Sequence, residues 1–399
     1  MLQLTTTPHD LGPDFLQDQH GTFALLRETG PVREILTPQG QRMWMVTRYQ
    51  EAREALTDPA LSKDIHTARA RFDPYTLALA GLDIGGALSE HLLNSDPPEH
   101  TRLRRHIGRA FTSRRVRELR PRIEQVAATL LDDLAALGEA DLLSVYAFPL
   151  PITIICDLLG VPKEDQDDFR SWSTSMARLD SEQAGAAAMA LAGYLGQLVA
   201  AKRAAPGDDL LSDLVTAGDN PLNDREMLAM AFLLLVAGHE TTVNLIGNAV
   251  LALHRNPEQR DLLRARPDLL PGAVEEFLRY DGPITLATVR FALRGTEVGG
   301  VPIPEGDFVL VSLAGANRDE DRFPHAEDLR VDQDATGHLA FGHGAHHCVG
   351  APLARLEAEI AIGALLARFP DLTVVGDPAQ LRWRGAMLLH GLETLPVRI

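Results

Sequence analysis

The segment with the clearest chemical potential is a glycine-spaced loop around Cys348. It reads Phe341-Gly-His-Gly-Ala-His-His-Cys-Val-Gly350 and runs directly into an apolar, helix-patterned stretch, 351–369. The free N–H groups and the positive partial charge of a helix N-terminus favour the thiolate form of a cysteine placed just before it. Glycines have no Cβ, so they allow tight turns and let a flat ligand approach the backbone closely. We therefore predict that Cys348 is an anionic ligand beneath a flat group.

Two other interpretations of this loop stay open. Cys348 could be a buried structural cysteine, or it could join His343, His346 and His347 in a zinc site. A structural zinc site usually uses two separated ligand pairs, and the sequence holds no second Cys/His pair. The zinc interpretation is therefore the less favoured one.

Composition and charge exclude several classes of protein. The chain has 399 residues, 45% of them apolar, and a formal net charge of −17, which argues against nucleic acid or anionic lipid as the main partner. Cys156 and Cys348 lie far apart, so a disulfide framework is not expected, and Cys156 falls in an apolar run typical of a core. The first residues printed show no basic stretch followed by an apolar core, and no run approaches about 18 apolar residues. We expect a cytoplasmic protein without a membrane or nucleic-acid partner.

One basic segment breaks the acidic trend. Nine arginines lie between Arg102 and Arg122, against a single acid, Glu118. Most of them are expected to form ion pairs on a solvated face with acids from elsewhere in the fold. A concentrated basic patch also suits the docking of a small acidic partner, and Arg105, Arg109 and Arg115 are the arginines expected to meet it.

Helical periodicity dominates the chain. Apolar residues at i, i+3 and i+4 predict helices over 115–137, 182–203, 224–254, 257–264, 272–280 and 351–369. Strand-like alternation is limited to 43–47, 289–291, 308–312 and the C-terminus. The chain has no internal repeat and no low-complexity linker, so the expected fold is mainly α and the expected domain is a single one, 1–399.

The long helix from Asp224 places an acid and an alcohol in an apolar environment. Asn223 and Glu226 have the spacing of a capping box at its start. Its middle is nearly all apolar and then reaches Glu240 and Thr241. Burying an acid and an alcohol in a helix costs free energy unless both have hydrogen-bond partners or a functional role. Alternatively, Thr241 bonds back to a carbonyl one turn earlier and Glu240 pairs with a buried arginine.

The pattern Phe-Gly-x-Gly-x-His-x-Cys-x-Gly, matched at every fixed position by 341–350, resembles the haem-ligand signature of the cytochrome P450 family. The resemblance implies the P450 fold, a large helical domain with a smaller β-containing part and a haem buried between two long helices. The cofactor implied is haem b, iron-protoporphyrin IX, with Cys348 as the iron ligand. A thiolate ligand pushes electron density onto iron and favours O–O cleavage.

Other site residues follow from the same resemblance. Segments around 96–104 and 290 resemble the family segments that bind the haem propionates. The implied cofactor-binding residues are His100, Arg104, Gly238, Arg290, Phe341, Gly344, His346 and Cys348. The implied catalytic residues are Glu240, which relays protons from solvent, and Thr241, which donates a hydrogen bond to bound dioxygen.

Glu276 and Arg279 match the family's structural Glu-x-x-Arg motif. The family often adds a third arginine downstream, but here Gln333 stands at that position. The network is therefore expected to be either shorter or rebuilt with Arg330.

The resemblance implies a monooxygenase that inserts one oxygen atom of O2 into a bulky apolar substrate, a polyketide or macrolide natural product. Electrons would come from NAD(P)H through a ferredoxin reductase and a ferredoxin docked near the basic segment, and the protein would be a monomer. Alternatives are oxidation of exogenous sterol-like compounds, a peroxide-driven peroxygenase, and a non-enzymatic haem sensor. Mostly aliphatic or small residues in 66–93 and 171–191 suit a roomy entrance. The predicted substrate pocket comprises Leu93, Leu235, Val236, Ala237, Leu286, Ala287, Met387 and Leu388.

Overall fold

A computed structural model describes residues 7–80, 86–177, 181–218 and 220–399. The chain divides into two compact units, each built from several chain segments. Unit 1 comprises Met1–Ile84, Asn248–Cys348 and Asp377–Glu393, and unit 2 comprises Gly85–Gly247, Val349–Gly376 and Thr394–Ile399. The expected single domain therefore stays a prediction, whereas the expected predominance of helix is confirmed, since 58% of the chain is helical.

Sixteen α-helices are found among the described residues. In chain order they are α1 Gln19–Thr29, α2 Tyr49–Thr57, α3 Ile65–Arg71, α4 Pro74–Leu79, α5 Glu99–Ala110, α6 Ser113–Glu118, α7 Arg120–Leu137, α8 Pro149–Leu159, α9 Gln166–Ala177, α10 Ser181–Ala204, α11 Leu210–Val215, α12 Asp224–Arg255, α13 Pro257–Ala265, α14 Leu270–Asp281, α15 Leu313–Asn317 and α16 Ala351–Arg368.

Eleven β-strands accompany them among the described residues. They are β1 His9–Asp10, β2 Val32–Leu36, β3 Arg42–Val46, β4 Leu61–Ser62, β5 Glu139–Asp141, β6 Arg290–Ala292, β7 Thr296–Val298, β8 Val301–Ile303, β9 Phe308–Val311, β10 Thr373–Val374 and β11 Pro396–Arg398.

Unit 1 is built on a six-stranded mixed sheet with the order β1-β2-β3-β9-β6-β4. Strand β3 pairs in parallel with β9 through Met45 and Leu310, and β6 pairs antiparallel with β9 through Arg290 and Val309. Alternate side chains of these strands pack into an apolar core that includes Phe23, Met45 and Phe291. The sheet therefore fixes Arg290 at an interior position of unit 1.

Unit 2 is mainly helical, with a small antiparallel sheet in the order β10-β11-β5. Helix α16 packs on α7 in this unit, and the Tyr146 hydroxyl donates to the carbonyl oxygen of Ala361 on α16 at 2.8 Å. Cys156 is fully buried on α8, as predicted, and burial raises the pKa of its thiol to about 12. Cys156 is therefore a core residue without nucleophilic character at neutral pH.

The start of α12 confirms the predicted capping box. The Asn223 side-chain oxygen accepts from the backbone N–H of Glu226 at 3.0 Å, and the Glu226 carboxylate accepts from the N–H of Asn223 at 2.9 Å. By length and composition this is also the one described helix able to cross a membrane. However, 72% of its most apolar stretch is buried inside the protein, as in the core helix of a soluble protein.

The helix predicted over 115–137 is divided in the structure. Helix α6 ends at Glu118 and α7 begins at Arg120, with Pro121 in its first turn. Proline lacks the N–H that would continue the earlier helix but suits a first turn, so it starts α7 instead. Periodicity alone missed this break because the apolar spacing continues across it.

Candidate active site

In unit 1, the loop that carries Cys348 is held closed by its own backbone. The N–H of Gly342 donates to the carbonyl oxygen of Leu339 at 2.7 Å, and the N–H of Cys348 donates to that of Phe341 at 2.9 Å. Gly342 and Gly344 have φ of 70° and 73°, a left-handed conformation that favours glycine. The Cys348 side chain is exposed, so the interpretation as a buried structural cysteine is wrong.

The loop packs closely on the end of α2. A Cβ at Gly344 would lie 2.6 Å from Cγ2 of Thr57, which only glycine avoids. Arg290, which is 3% exposed, donates to the carbonyl oxygen of Leu56, the residue before Thr57, at 3.5 Å and to that of Thr288 at 3.3 Å. The end of α2 therefore brings a buried guanidinium close to the cysteine loop. A buried guanidinium is suited to an anionic ligand.

The Glu276–Arg279 pair is fully buried in unit 1. Both carboxylate oxygens of Glu276 accept from the Arg279 guanidinium, at 2.7 and 2.8 Å. Arg279 also donates to the carbonyl oxygens of Asn317, Ala326 and Asp328, at 3.1, 2.7 and 3.0 Å. These bonds lock α14 to the chain segment that leads towards the cysteine loop.

The network is rebuilt around Arg330, but through its backbone. The N–H of Arg330 donates to Glu276 at 2.9 Å, while its guanidinium lies 3.4 Å from Asp328 and is 42% exposed. Nε2 of Gln333 is buried and has no hydrogen-bond partner among the described residues. Arg330 therefore contributes a backbone N–H, which any residue but proline would supply, and not a third guanidinium.

In unit 2, one face of α12 is accessible in the middle of an otherwise buried helix. Leu233 and Thr241 are partly exposed and Ala237 is exposed, each one turn from the next. The Thr241 hydroxyl donates to the carbonyl oxygen of Ala237 at 3.0 Å, which is the back-bonded arrangement considered above. This stripe, Leu233, Ala237 and Thr241, offers an apolar surface that ends in a hydroxyl.

Glu240 has a partner that the sequence did not suggest. Its carboxylate lies 3.5 Å from Nε2 of His239, and the two side chains are 9% and 2% exposed. Nδ1 of His239 is 2.8 Å from the carbonyl oxygen of Leu235. The histidine ring stands edge-on to Phe148. The signal in the sequence for this pair is a histidine directly before an acid in an apolar helix.

His100 and Arg104 lie one turn apart on α5, so both face the same side of that helix. His100 is buried and Arg104 is partly buried. Gly238 has a different environment from the one expected. A Cβ there would lie 3.0 Å from Cδ1 of Ile155, so the missing side chain makes room for α8.

The sequence profile described as Cytochrome P450 matches residues 155–382. Cytochrome P450 107B1 of Saccharopolyspora erythraea is 50% identical over 390 residues, which cover 96% of each chain. The chain belongs to the cytochrome P450 family. This P450 is also 45% identical over 405 residues to the Vitamin D(3) 25-hydroxylase of Pseudonocardia autotrophica, with 99% of this chain and 98% of the relative covered. The solved structure of the Bacillus subtilis 168 bacillaene polyketide synthase P450 PksS superposes with a TM-score of 0.89 at 36% identity, covering 97% and 98% of the two chains.

The protein is thus a P450 monooxygenase, and the alternative of a non-enzymatic haem sensor is wrong. The family implies a haem cofactor, a small-molecule substrate and O2. The residues present fit a haem by their chemistry. Cys348 supplies an exposed thiol in a glycine-turned loop, and Arg290 supplies a buried cation for a carboxylate. The accessible stripe on α12 supplies an apolar surface.

The predicted pocket residues differ in exposure. Leu235 and Leu286 are 0% exposed, so in this structure they are core residues and line no water-sized space. Those that keep accessible surface, and stay predicted pocket residues, are Leu93, Val236, Ala237, Ala287, Met387 and Leu388. Of the two predicted entrance regions, 81–85 and 178–180 lie outside the described residues.

One buried acid in unit 2 predicts a pH dependence of stability. Burial raises the pKa of Glu357 on α16 to about 8, opposed by a hydrogen bond from Thr242. The folded protein therefore holds a proton that the unfolded chain releases near pH 4.5. Stability should fall between about pH 4.5 and 8, by a few kcal/mol at about 1.4 kcal/mol per pH unit, and then level off.

Glu357→Gln should remove this slope, because glutamine has no proton to lose. Chemical denaturation of both proteins at pH 5 and pH 8 measures it. The difference in unfolding free energy, variant minus wild type, should be more positive at pH 8 than at pH 5. An equal difference at the two pH values would contradict the buried-acid interpretation.

Proposed function

We propose that this P450 oxidises a bulky apolar natural product of the polyketide or macrolide type, using electrons from NAD(P)H delivered through a ferredoxin reductase and a ferredoxin. The observation that carries the substrate class is the accessible stripe on α12, which is apolar up to the Thr241 hydroxyl. None of the pocket residues that keep accessible surface is charged. A pocket of this kind binds by shape and apolar contact. The similarity to PksS supports the same class.

In this proposal Cys348 binds the haem iron, and His100, Arg104, Arg290 and His346 bind the propionates. Phe341 and Gly344 contact the macrocycle. The haem, when bound, supplies activation of O2 and transfer of one oxygen atom to substrate carbon, while the second atom leaves as water. The chain's own residues then have to deliver two protons without admitting bulk water.

The proton-handling residues are His239, Glu240 and Thr241. A carbonyl oxygen only accepts hydrogen bonds, so Nδ1 of His239, 2.8 Å from the Leu235 carbonyl, carries a hydrogen. Nε2 then faces the Glu240 carboxylate at 3.5 Å. In this proposal the two groups exchange a proton when they approach to hydrogen-bond distance. Glu240 passes it on, and Thr241 accepts or donates it by rotating its hydroxyl away from Ala237.

Thr241→Ala should uncouple electron use from product formation. NADH consumption continues while peroxide rises and the product formed per NADH falls about tenfold or more, because the hydroxyl that orients the proton is gone. Thr241→Ser, which keeps the hydroxyl, is the matched control and should stay coupled. Equal coupling in the alanine variant and the wild type would contradict the proton relay and would favour the alternative of a peroxide-driven peroxygenase.

The basic segment offers three arginines for a redox partner. As expected, most of its arginines form ion pairs, among them Arg102 with Glu226, Arg115 with Asp213 and Arg122 with Asp157. Arg115 is therefore not available for docking, contrary to the first expectation. Exposed and without an ion pair among the described residues are Arg105, Arg109 and Arg117. Arg105 and Arg109 lie one turn apart on α5.

Replacing Arg105, Arg109 and Arg117 with glutamate should lower ferredoxin-driven turnover about tenfold at low salt, since steering of an acidic partner is lost. Peroxide-driven turnover should not change. The control variant replaces Arg225, Arg294 and Arg382, which are also exposed, with glutamate. It changes the net charge by the same amount. An equal loss of ferredoxin-driven turnover in both triple variants would mean that the net charge of the protein, and not a docking site, determines the rate.

The substrate proposal is tested by the spin state of the haem. The purified enzyme is titrated with macrolides, linear polyketides and vitamin D(3), and the low-spin to high-spin absorption shift is recorded. We expect a polyketide to shift the band and to yield a product heavier by one oxygen atom. A response to vitamin D(3) alone would favour the sterol-like alternative, which the similarity to the Pseudonocardia enzyme supports. No response to any polyketide would overturn the proposal.

A further inference from the structure

A cluster of two histidines and one aspartate lies in unit 1, apart from every residue assigned above. His20 on α1 and His390 in the C-terminal segment both direct Nε2 at Oδ1 of Asp281, the last residue of α14. The separations are 2.8 Å from His20 and 3.0 Å from His390. The three atoms all lie within 4.8 Å of one another, and no other group of this kind is found in the part of the chain that the structure describes.

One nitrogen of the cluster is left without a hydrogen bond. Nε2 of His390 is buried and lies 3.0 Å from Oδ1 of Asp281, but it makes no hydrogen bond of good geometry to any described residue. Imidazole nitrogens and carboxylate oxygens are common ligands of divalent transition-metal ions.

The spacing of the donor atoms fits a six-coordinate ion. Bonds of about 2.0–2.1 Å meeting at about 90° place neighbouring ligand atoms about 2.9 Å apart. The observed separations of 2.8 and 3.0 Å fall on either side of that value. A tetrahedral zinc site would need about 3.3 Å between ligand atoms. Three protein ligands of an octahedral ion leave three positions for water.

The ligands are already oriented by their neighbours. The Trp383 ring stacks on His390 at 3.9 Å with an interplanar angle of 18°. The Asn248 amide donates to the carbonyl oxygens of both Asp281 and His390 at 3.1 Å, which ties their backbones together. Arg318, which donates to the carbonyl oxygen of Tyr280 beside Asp281, is itself paired with Glu327. Little reorganisation would therefore be needed to accept an ion.

We propose that His20, Asp281 and His390 form a binding site for a divalent transition-metal ion, of the nickel or cobalt type in geometric preference. The ion joins three distant parts of unit 1, namely α1, the end of α14 and the C-terminal segment. Its role is structural, because a ligand that binds only the folded protein stabilises it.

The test uses tag-free, haem-loaded enzyme dialysed against a chelator and then titrated with Ni²⁺ by calorimetry. We expect one ion per chain and a higher denaturation temperature. His20→Gln keeps a hydrogen-bond donor to Asp281 but loses the imidazole, and should weaken binding at least about tenfold. His66→Gln makes the same change at an exposed histidine and should bind as the wild type does.

Crystals soaked in Ni²⁺ give a readout that does not depend on a variant folding. An anomalous peak within about 2.2 Å of all three donor atoms is expected. A peak only at surface histidines, or equal affinity in His20→Gln and the wild type, would show adventitious binding and overturn the proposal. Absence of stoichiometric binding would leave the triad as a hydrogen-bonded cluster and overturn it too.

Discussion

Cys348→Ser is expected to lower monooxygenase turnover at least about a thousandfold, because a serine oxygen does not donate the electron density that a thiolate gives to iron. The protein should still fold, since the Cys348 side chain is exposed and the loop is closed by backbone hydrogen bonds at Gly342 and Cys348 itself. Two measurements check this result. One is product formation with the best substrate from the spin-shift titrations, and the other is the absorption band of the ferrous carbon monoxide adduct.

Cys156→Ser is the matched control, since it makes the same atomic change at the chain's other cysteine. It should keep the thiolate-type carbon monoxide band. It places a hydroxyl in a fully buried apolar position and should cost about 1–3 kcal/mol of unfolding free energy. A thiolate-type band that persists in Cys348→Ser would mean that another residue binds the iron, and the assignment of the loop would fail.

The second large effect is expected at Arg279. Arg279→Met leaves the Glu276 carboxylate buried without its cation and removes three further bonds to backbone carbonyls. Breaking one partner of a buried pair typically costs about 3–5 kcal/mol, and the orphaned carbonyl groups add to that. We expect an enzyme that unfolds at much lower denaturant concentration and loses haem during purification, measured by unfolding curves and by the haem-to-protein ratio.

Arg330→Ala provides a sharp control for this network. Its backbone N–H, which alanine retains, makes the bond to Glu276, whereas its guanidinium is largely in solvent. The change should alter stability by no more than about 0.5 kcal/mol. A loss as large as that of Arg279→Met would mean that the Arg330 guanidinium does what the family's third arginine does, against the geometry described above.

Local chemistry made much of the site predictable. The Cys348 loop, the Asn223–Glu226 cap and the Glu276–Arg279 pair each lie within about ten residues of chain, where steric and hydrogen-bond rules act directly. The two cap bonds and the buried pair are found as predicted. Local spacing also left Thr241 with two possible partners. The structure chooses the Ala237 carbonyl, and the catalytic role stays a prediction.

Partners that come from distant segments were not predictable. Arg115 was expected to face a redox partner, but it pairs with Asp213, 98 residues away. Gly238 was expected to leave room for the cofactor, but its missing side chain leaves room for Ile155. In each case the decisive neighbour is set by how helices pack, which pattern and propensity do not specify.

The sequence by itself determined the family and the mainly helical fold, and it predicts the thiolate ligand and the acid–alcohol pair, because each rests on residue types at short fixed spacing. Only the tertiary structure decided which arginines are free to meet another protein, that Arg330 acts through its N–H, and that His20, Asp281 and His390 converge. His20 and Asp281 are 261 residues apart, and their contact requires α1 and the end of α14 to meet in unit 1. Contacts between residues so far apart in the chain depend on how whole helices and strands pack, and the pattern of residues along the sequence does not specify that packing.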